Sequence, residues 1–195
     1  MRRKLTQRGK ERRLQLMDHA ARLFAERGYH PTSVADIVES LSVGKGVFYW
    51  YFSSKEELLA EILRESHQAL RRRQQQAIGD EPNPVVRIEL GIRASIEWFL
   101  EHRKSFTLFQ FAASDERFAP VLRRNHDVAI ADTVRHIKEA IVDGLIADQN
   151  PEVLAEAMVG AINQLTQTYV FERSEPVDRT SEAAVSFCLH GLAGK

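Results

Sequence analysis

Along most of the chain, apolar side chains return every three or four positions, the spacing that lays them on one face of an α-helix. Leu14, Met17, Ala21 and Phe24 mark such a face over about 8–28, and Gly28 stops that helix as glycine commonly does just past a helix end. Pro31 with Thr32 or Ser33 opens a second short helix whose inner side is Val34, Ile37, Val38 and Leu41. A Thr or Ser at that point caps free backbone N–H groups. A third helix is expected over 44–50. Ser53 or Ser54 caps a fourth over about 54–76, with Glu56 and Glu57 at its positive end and Leu59, Ile62, Leu63, Ser66 and Leu70 as its stripe. The stretch AIGDEPNP (77–84) breaks the pattern, being rich in turn residues. Helices are then expected over about 84–103, 105–113, 117–147, 151–172 and 179–192. No segment alternates at period two and no internal repeat is present. The expected fold class is all-α with about nine helices.

Composition adds little to this, and charge adds more. With 44% hydrophobic and 28% charged residues the chain reads as an ordinary globular protein. No apolar run approaches the roughly 20 residues of a membrane span, so no membrane association is expected. A single cysteine, Cys188, allows no internal disulfide, and the expected setting is cytoplasmic. The net charge is zero but unevenly spread: residues 1–55 carry 11 Lys/Arg against 5 Asp/Glu, and the remainder carries 16 against 22. A basic end on an acidic body points to a nucleic-acid partner, or to a solvated basic tail, since Arg2, Arg3, Lys4, Arg8, Lys10, Arg12 and Arg13 supply most of the surplus.

The stretch VGKGVFYWYFSSKEEL (43–58) tips the balance. Two short helices around a tight turn, over 34–41 and 45–51, have the lengths of a helix-turn-helix, whose second helix enters the major groove. Phe48 and Phe52, four apart, share an inward face. Lys45, Tyr49 and Trp50 then point outward, while Tyr51 could face either way. Tyrosine hydroxyls and lysine ammonium groups suit phosphates and base edges. Gly46 permits close approach of the backbone to DNA.

Residues 10–60, and within them HAARLFAERGYHPTSVADIVESLSVGKGVFYWYFSSKEELL, resemble the DNA-binding region of the TetR family of bacterial transcriptional regulators. Ala21, Phe24, Gly28, Tyr29, Thr32, Ile37, Val43, Lys45, Gly46, Tyr49, Phe52, Lys55, Glu56 and Leu58 stand at matching positions. The turn departs: Ser42 replaces the usual glycine and must adopt whatever backbone geometry the turn needs, and Gly44 replaces the usual capping serine, so no side-chain contact is carried over to it. The resemblance implies a DNA-binding domain over 1–53, with Thr32, Ser33, Lys45, Gly46, Val47, Tyr49, Trp50, Tyr51 and Lys55 toward DNA. Among these, Thr32, Tyr49 and Lys55 are expected to hold phosphates, and Lys45, Val47 and Trp50 to face the groove. The basic arm, 2–13, would add sequence-independent attraction.

The same resemblance implies a ligand-binding and dimerisation domain over 54–195. The helix expected over 151–172 carries no charge between Glu156 and Glu172, so both of its sides read as buried, one against its own subunit and one against a partner. The expected dimer residues are Val159, Gly160, Asn163, Val170, Ala184, Phe187, Cys188 and Gly191. The expected pocket residues are Trp98, Phe99, His102, Phe106, Phe109, Gln110, His126, Ile130, Asn163 and Gln167, a set suited to a small hydrophobic or aromatic effector. The implied function is a homodimeric regulator, a repressor, on a pseudo-palindromic double-stranded operator, released by that effector. The alternative is a DNA-binding regulator with no effector. No cofactor, metal or enzymatic activity is expected: Cys188 lies in an apolar helix, and no histidine pair has the i, i+4 spacing of a zinc site.

Overall fold

The computed structural model describes residues 6–191. Arg2, Arg3 and Lys4 of the basic arm, and position 192 of the last expected helix, lie outside them. Among the described residues there are nine α-helices and no strand. They form two compact units, one of residues up to Ser66 with Lys104–Leu122, the other of His67–Arg103 with the chain from Arg123 onward. Compactness thus draws its line elsewhere than the functional boundary expected at 53/54.

The first unit begins with α1 (Gln7–Arg27), capped by the Thr6 hydroxyl, which accepts from the Gly9 N–H at 3.2 Å. Its buried face is Leu16, Met17, Ala20, Leu23 and Phe24. Leu14, expected on that face, is exposed, because it lies two residues or about 200° around the helix from Leu16. Next come α2 (Val34–Glu39), α3 (Lys45–Tyr51) and α4 (Lys55–Ile78), whose residues up to Ser66 belong here. The segment 104–122 contributes most of α6 (Arg103–Ala113), a 3-10 turn (Glu116–Phe118) and the start of α7 (Ala119–Val142). One core joins them: Leu16, Phe24, Tyr29, Ile37, Phe48, Phe52, Leu58 and Leu59 pack with Leu108, Ala112, Phe118 and Val121. Truncating one of its large side chains, Phe48 for instance, costs about 3–5 kcal/mol.

The second unit contains the rest of α4 and α7, with α5 (Pro84–Glu101), α8 (Pro151–Leu165) and α9 (Val177–His190). Two helices start alike: Asn83 and Asn150 cap α5 and α8 with their side-chain oxygens, and a proline fills the first helical position of each. The core is Ile88, Ile92 and Ile96 of α5 against Val134 and Ile137 of α7, Ala155 and Met158 of α8, and Ala184 and Val185 of α9. Two expectations are corrected here. The helix expected over 117–147 ends at Val142, where Gly144 at φ 69° lets the Leu145 N–H return to Ala140 O at 2.9 Å. The helix expected over 151–172 is α-helical only to Leu165 and continues as a π-helical segment, Thr166–Glu172.

Candidate nucleic-acid interface

The sequence builds α2 and α3 with little slack. Ser33 and Asp36 form a capping box at the start of α2: the Ser33 hydroxyl accepts from the Asp36 N–H at 3.2 Å, and the Asp36 carboxylate accepts from the Ser33 N–H at 2.7 Å. The Ser33 hydroxyl also donates to that carboxylate, which holds the Asp36 pKa below its ordinary value. The turn that follows is tight, with the Val43 N–H returning to Val38 O at 3.0 Å. Ser42 pays for that return with φ 53°, the left-handed region that glycine takes freely. Gly44 is the N-cap of α3 and offers no side-chain bond.

Helix α3 divides cleanly. Phe48 and Phe52 point inward, fully buried, with ring centroids 5.8 Å apart. Lys45, Gly46, Tyr49 and Trp50 are exposed and form one face at i, i+1, i+4 and i+5. Tyr49 is 57% and Trp50 55% exposed, a large apolar area for a protein to leave in water. Val47, expected toward the groove, and Tyr51, which could face either way, are half-buried against the first core, so they brace the helix from below. A Cβ added at Gly44 or Gly46 would meet nothing within 4 Å, so the fold itself does not require these glycines.

Two residues expected to hold phosphates are used differently. Thr32 is 1% exposed, and its hydroxyl donates to Gly28 O at 2.8 Å, tying the end of α1 to the turn. Lys55 spends its ammonium protons inside the protein: Nζ donates to the carbonyl oxygens of Thr32 at 2.8 Å, Tyr29 at 2.9 Å and His30 at 3.4 Å. It also lies 4.3 Å from the Tyr29 ring centroid. Desolvation by burial is the main reason its pKa is lowered.

The sequence did not single out two charged clusters in this unit. Glu61 of α4, almost fully buried, pairs with Arg13 of α1 and Arg64 of its own helix, and the Arg13 guanidinium lies 5.4 Å from the Phe52 ring centroid. Around Tyr29, the hydroxyl donates to Glu56 Oε1 at 3.0 Å, and Arg117 donates to the same oxygen at 3.3 Å. Burial, and then the hydrogen bond to Glu56, raise the Tyr29 pKa. The only sequence signal for Arg117 was Asp115, an N-cap residue type two positions ahead of it.

The expected pocket residues fall in both units. Phe106 is buried in the first unit, Phe109 packs against its core, and Gln110 is exposed. In the second unit, Trp98 stacks on His102 with centroids 4.3 Å apart, and the two border an open groove of about 350 Å³ with Ala69, Arg72, Arg73, Gln76 and Glu101. Phe99 is buried, and Ile130 packs against the second core. His126 faces outward to Glu156, Nε2 to Oε2 2.9 Å, because both lie on the exposed sides of α7 and α8. Asn163 is also exposed, and Gln167 donates to Glu172 Oε1 at 3.1 Å.

The expected dimer residues all lie in the second unit and divide by burial. Val170 and Ala184 are buried in their own subunit, at 4% and 0% exposure, since both pack within the second core. Cys188 is half-buried against that core, and burial lifts its thiol to about 11. Val159 is half-buried, while Gly160, Asn163, Phe187 and Gly191 are exposed. Gly191 has a local reason to be glycine: it ends α9 at φ 64°.

These features define an all-helical protein with a helix-turn-helix whose second helix presents an aromatic and basic face. Residues 16–62 match the sequence model described as "Bacterial regulatory proteins, tetR family". Over these residues the chain carries the family's DNA-binding region. It is 34% identical over 118 residues to the HTH-type transcriptional repressor KstR2 of Mycobacterium tuberculosis, a match covering 58% of this chain and 59% of that protein. The matched stretch therefore spans less than two thirds of the repressor's length. It is 27% identical over 196 residues to the HTH-type transcriptional activator FasR of Mycolicibacterium smegmatis, covering 94% of this chain and 84% of that one. The fold matches the fatty acid degradation regulator FadR of Bacillus halodurans with a TM-score of 0.87 at 15% identity, over 99% of this chain and 100% of that one. These relatives are regulators, not enzymes. Among the described residues, no helix is long and apolar enough to cross a membrane, and no group of three or more candidate ligands could hold a metal ion.

Proposed function

We propose that the chain is a sequence-specific DNA-binding transcriptional regulator, a repressor that binds a pseudo-palindromic operator as a homodimer and is released by a small hydrophobic or aromatic effector. The observation that carries this reading is the outer face of α3: Lys45, Tyr49 and Trp50 stand exposed beside Gly46, where the fold has no use for a missing side chain. Lys45 reads a guanine edge, Tyr49 holds a phosphate, and Gly46 admits the backbone close to DNA. Arg8, Lys10 and Arg12 at the start of α1 add attraction without sequence preference. The 34% identical repressor supports the sign of regulation.

Dimerisation is assigned to the exposed sides of α8 and α9. Gly160 lies mid-helix there, a Cβ on it would meet nothing within 4 Å, and an exposed mid-helix glycine costs about 1 kcal/mol relative to alanine. A partner helix passing close by gives that glycine a use. The effector is assigned to the second unit, where the buried Trp98 ring stacks on the exposed His102 beside the open groove. Its differential affinity for the conformation that cannot bind DNA supplies release.

The test is fluorescence anisotropy with labelled DNA from beside the protein's own gene, across a salt series. Wild type is expected to bind tightly and with a steep salt dependence, and Lys45→Ala to lose sequence preference. Binding that ignores both sequence and Lys45 would reject the reading.

A further inference from the structure

In the connection between α6 and α7, Asp115 holds Arg117 at three points. Its Oδ1 accepts the Arg117 backbone N–H at 3.1 Å and Nε at 3.0 Å, and its Oδ2 accepts Nη2 at 2.6 Å. The fork fixes the planar guanidinium before it meets anything else. So fixed, Nη1 reaches Glu56 Oε1 at 3.3 Å, and the guanidinium lies 5.4 Å from the Tyr29 ring centroid. Tyr29 donates its hydroxyl to the same Glu56 oxygen and is boxed in by the rings of Phe24, Phe111 and Phe118, with centroids 5.1, 5.1 and 5.6 Å away. The Lys55 ammonium lies 4.3 Å from that ring centroid and holds the carbonyls of Tyr29, His30 and Thr32. The next residue, Ser33, is the N-cap of α2.

We propose that Arg117 is a positioning residue for DNA binding: through Glu56 and Tyr29 it sets the Lys55 clamp on residues 29–32 and so fixes where α2 begins, which makes the α6–α7 connection part of the DNA-reading head. This rests on the DNA-binding reading above. An isolated exposed ion pair contributes little. Here the pair is pre-formed by Asp115 and closes onto a buried, hydrogen-bonded tyrosine, so its loss releases a connected set of groups instead of one contact. Asp115 is held down to about 2, chiefly by the Arg117 side chain, so the fork persists throughout the neutral range.

The test compares wild type, Arg117→Ala and Arg117→Lys by anisotropy on the same DNA and by hydrogen exchange at the amides of Gly28 and Ser33, both hydrogen-bonded in the turn. Arg117 is about half exposed, so both variants fold. Lysine keeps the charge and loses the fork. Both variants are expected to bind about fivefold more weakly with an unchanged salt slope, and to exchange faster at Gly28 and Ser33. Wild-type affinity in Arg117→Lys would reduce the role to net charge and overturn the proposal, as would unchanged exchange in Arg117→Ala. Faster exchange in the variants of a protein that binds no DNA would uphold the positioning of the turn and remove the DNA reading instead.

Discussion

Lys55 reaches across the α1–α2 turn to Thr32, its Nζ donating to the Thr32 carbonyl oxygen at 2.8 Å. With the carbonyls of Tyr29 and His30 it uses three acceptors, as many as an ammonium group has protons. Binding a phosphate would require giving up at least one of them. Lys55→Met keeps most of the stem and removes the donors. It is expected to cost about 1–2 kcal/mol of stability, from hydrogen bonds lost at partly buried carbonyls and a lost ring contact. DNA affinity should fall while the salt slope stays as in wild type. A slope reduced by about 0.9 would instead place Lys55 on a phosphate.

The turn between α2 and α3 holds a strained serine. Ser42 sits at φ 53° and is exposed, and its N–H is already bonded to Glu39 O at 2.9 Å. Glycine adopts that conformation without the Cβ penalty, though it gives the unfolded chain more freedom. The first effect is about 1–2 kcal/mol and the second somewhat less, so Ser42→Gly is expected to stabilise the protein by about 0.5–1 kcal/mol. Chemical denaturation of the two proteins checks it, and a lowered midpoint would show that the turn tolerates serine without strain.

This strain was foreshadowed only by the resemblance, whose usual residue at this turn position is glycine. Helix existence was legible from the residues themselves: period 3.6 survives wherever one face is buried, and the cap at Ser33 is local. Other features depend on what lies far away in the chain. Leu14 and Leu16 look alike in sequence, and only the packing of α1 decides which is buried. Ala184 and Phe187 share a helix, and the position of α5 and α8 against α9 buries the first and not the second. The Arg117, Glu56 and Tyr29 cluster joins residues 61 and 27 positions apart, beyond any local pattern. The change to π-helix at Thr166 has no sequence signal that we recognise.

Two histidines of the second unit make stability depend on pH. Burial lowers the pKa of His67 most, with Arg71 adding to it and Asp132 opposing. Burial also leads for His136, followed by Arg135 and Arg87, and its Nδ1 is buried without a hydrogen-bond partner. Each folded pKa lies below the unfolded value of 6.5. On acidification the unfolded chain therefore takes up protons before the folded one. The stability is complete above 6.5 and is lost as pH falls from there through the folded values, at up to about 1.4 kcal/mol per pH unit for each histidine. Denaturation midpoints should be flat above neutrality and fall toward pH 5. The double variant His67→Gln, His136→Gln should remove most of that fall; an equal fall in the variant would assign it to carboxylates.

The α8 and α9 surface lends itself to a test in which monomer stability and assembly move in opposite directions. Val153, Ala157, Gly160 and Gln164 line the exposed side of α8, and Ala183, Ser186 and Phe187 that of α9, with Phe187 47% exposed. Gly160→Leu replaces the poorest non-proline helix former with one of the best, into space that is empty within the subunit, so the monomer should gain about 0.5–1 kcal/mol. If a partner helix passes over Gly160, the same side chain blocks its approach and the dimer dissociates. Sedimentation equilibrium is expected to show Gly160→Leu and Phe187→Glu as monomers at concentrations where wild type is dimeric. DNA affinity should drop with them, because a monomer engages one half-site where a two-fold dimer engages both. A Gly160→Leu protein that is both more stable and fully dimeric would move the interface off this face of α8.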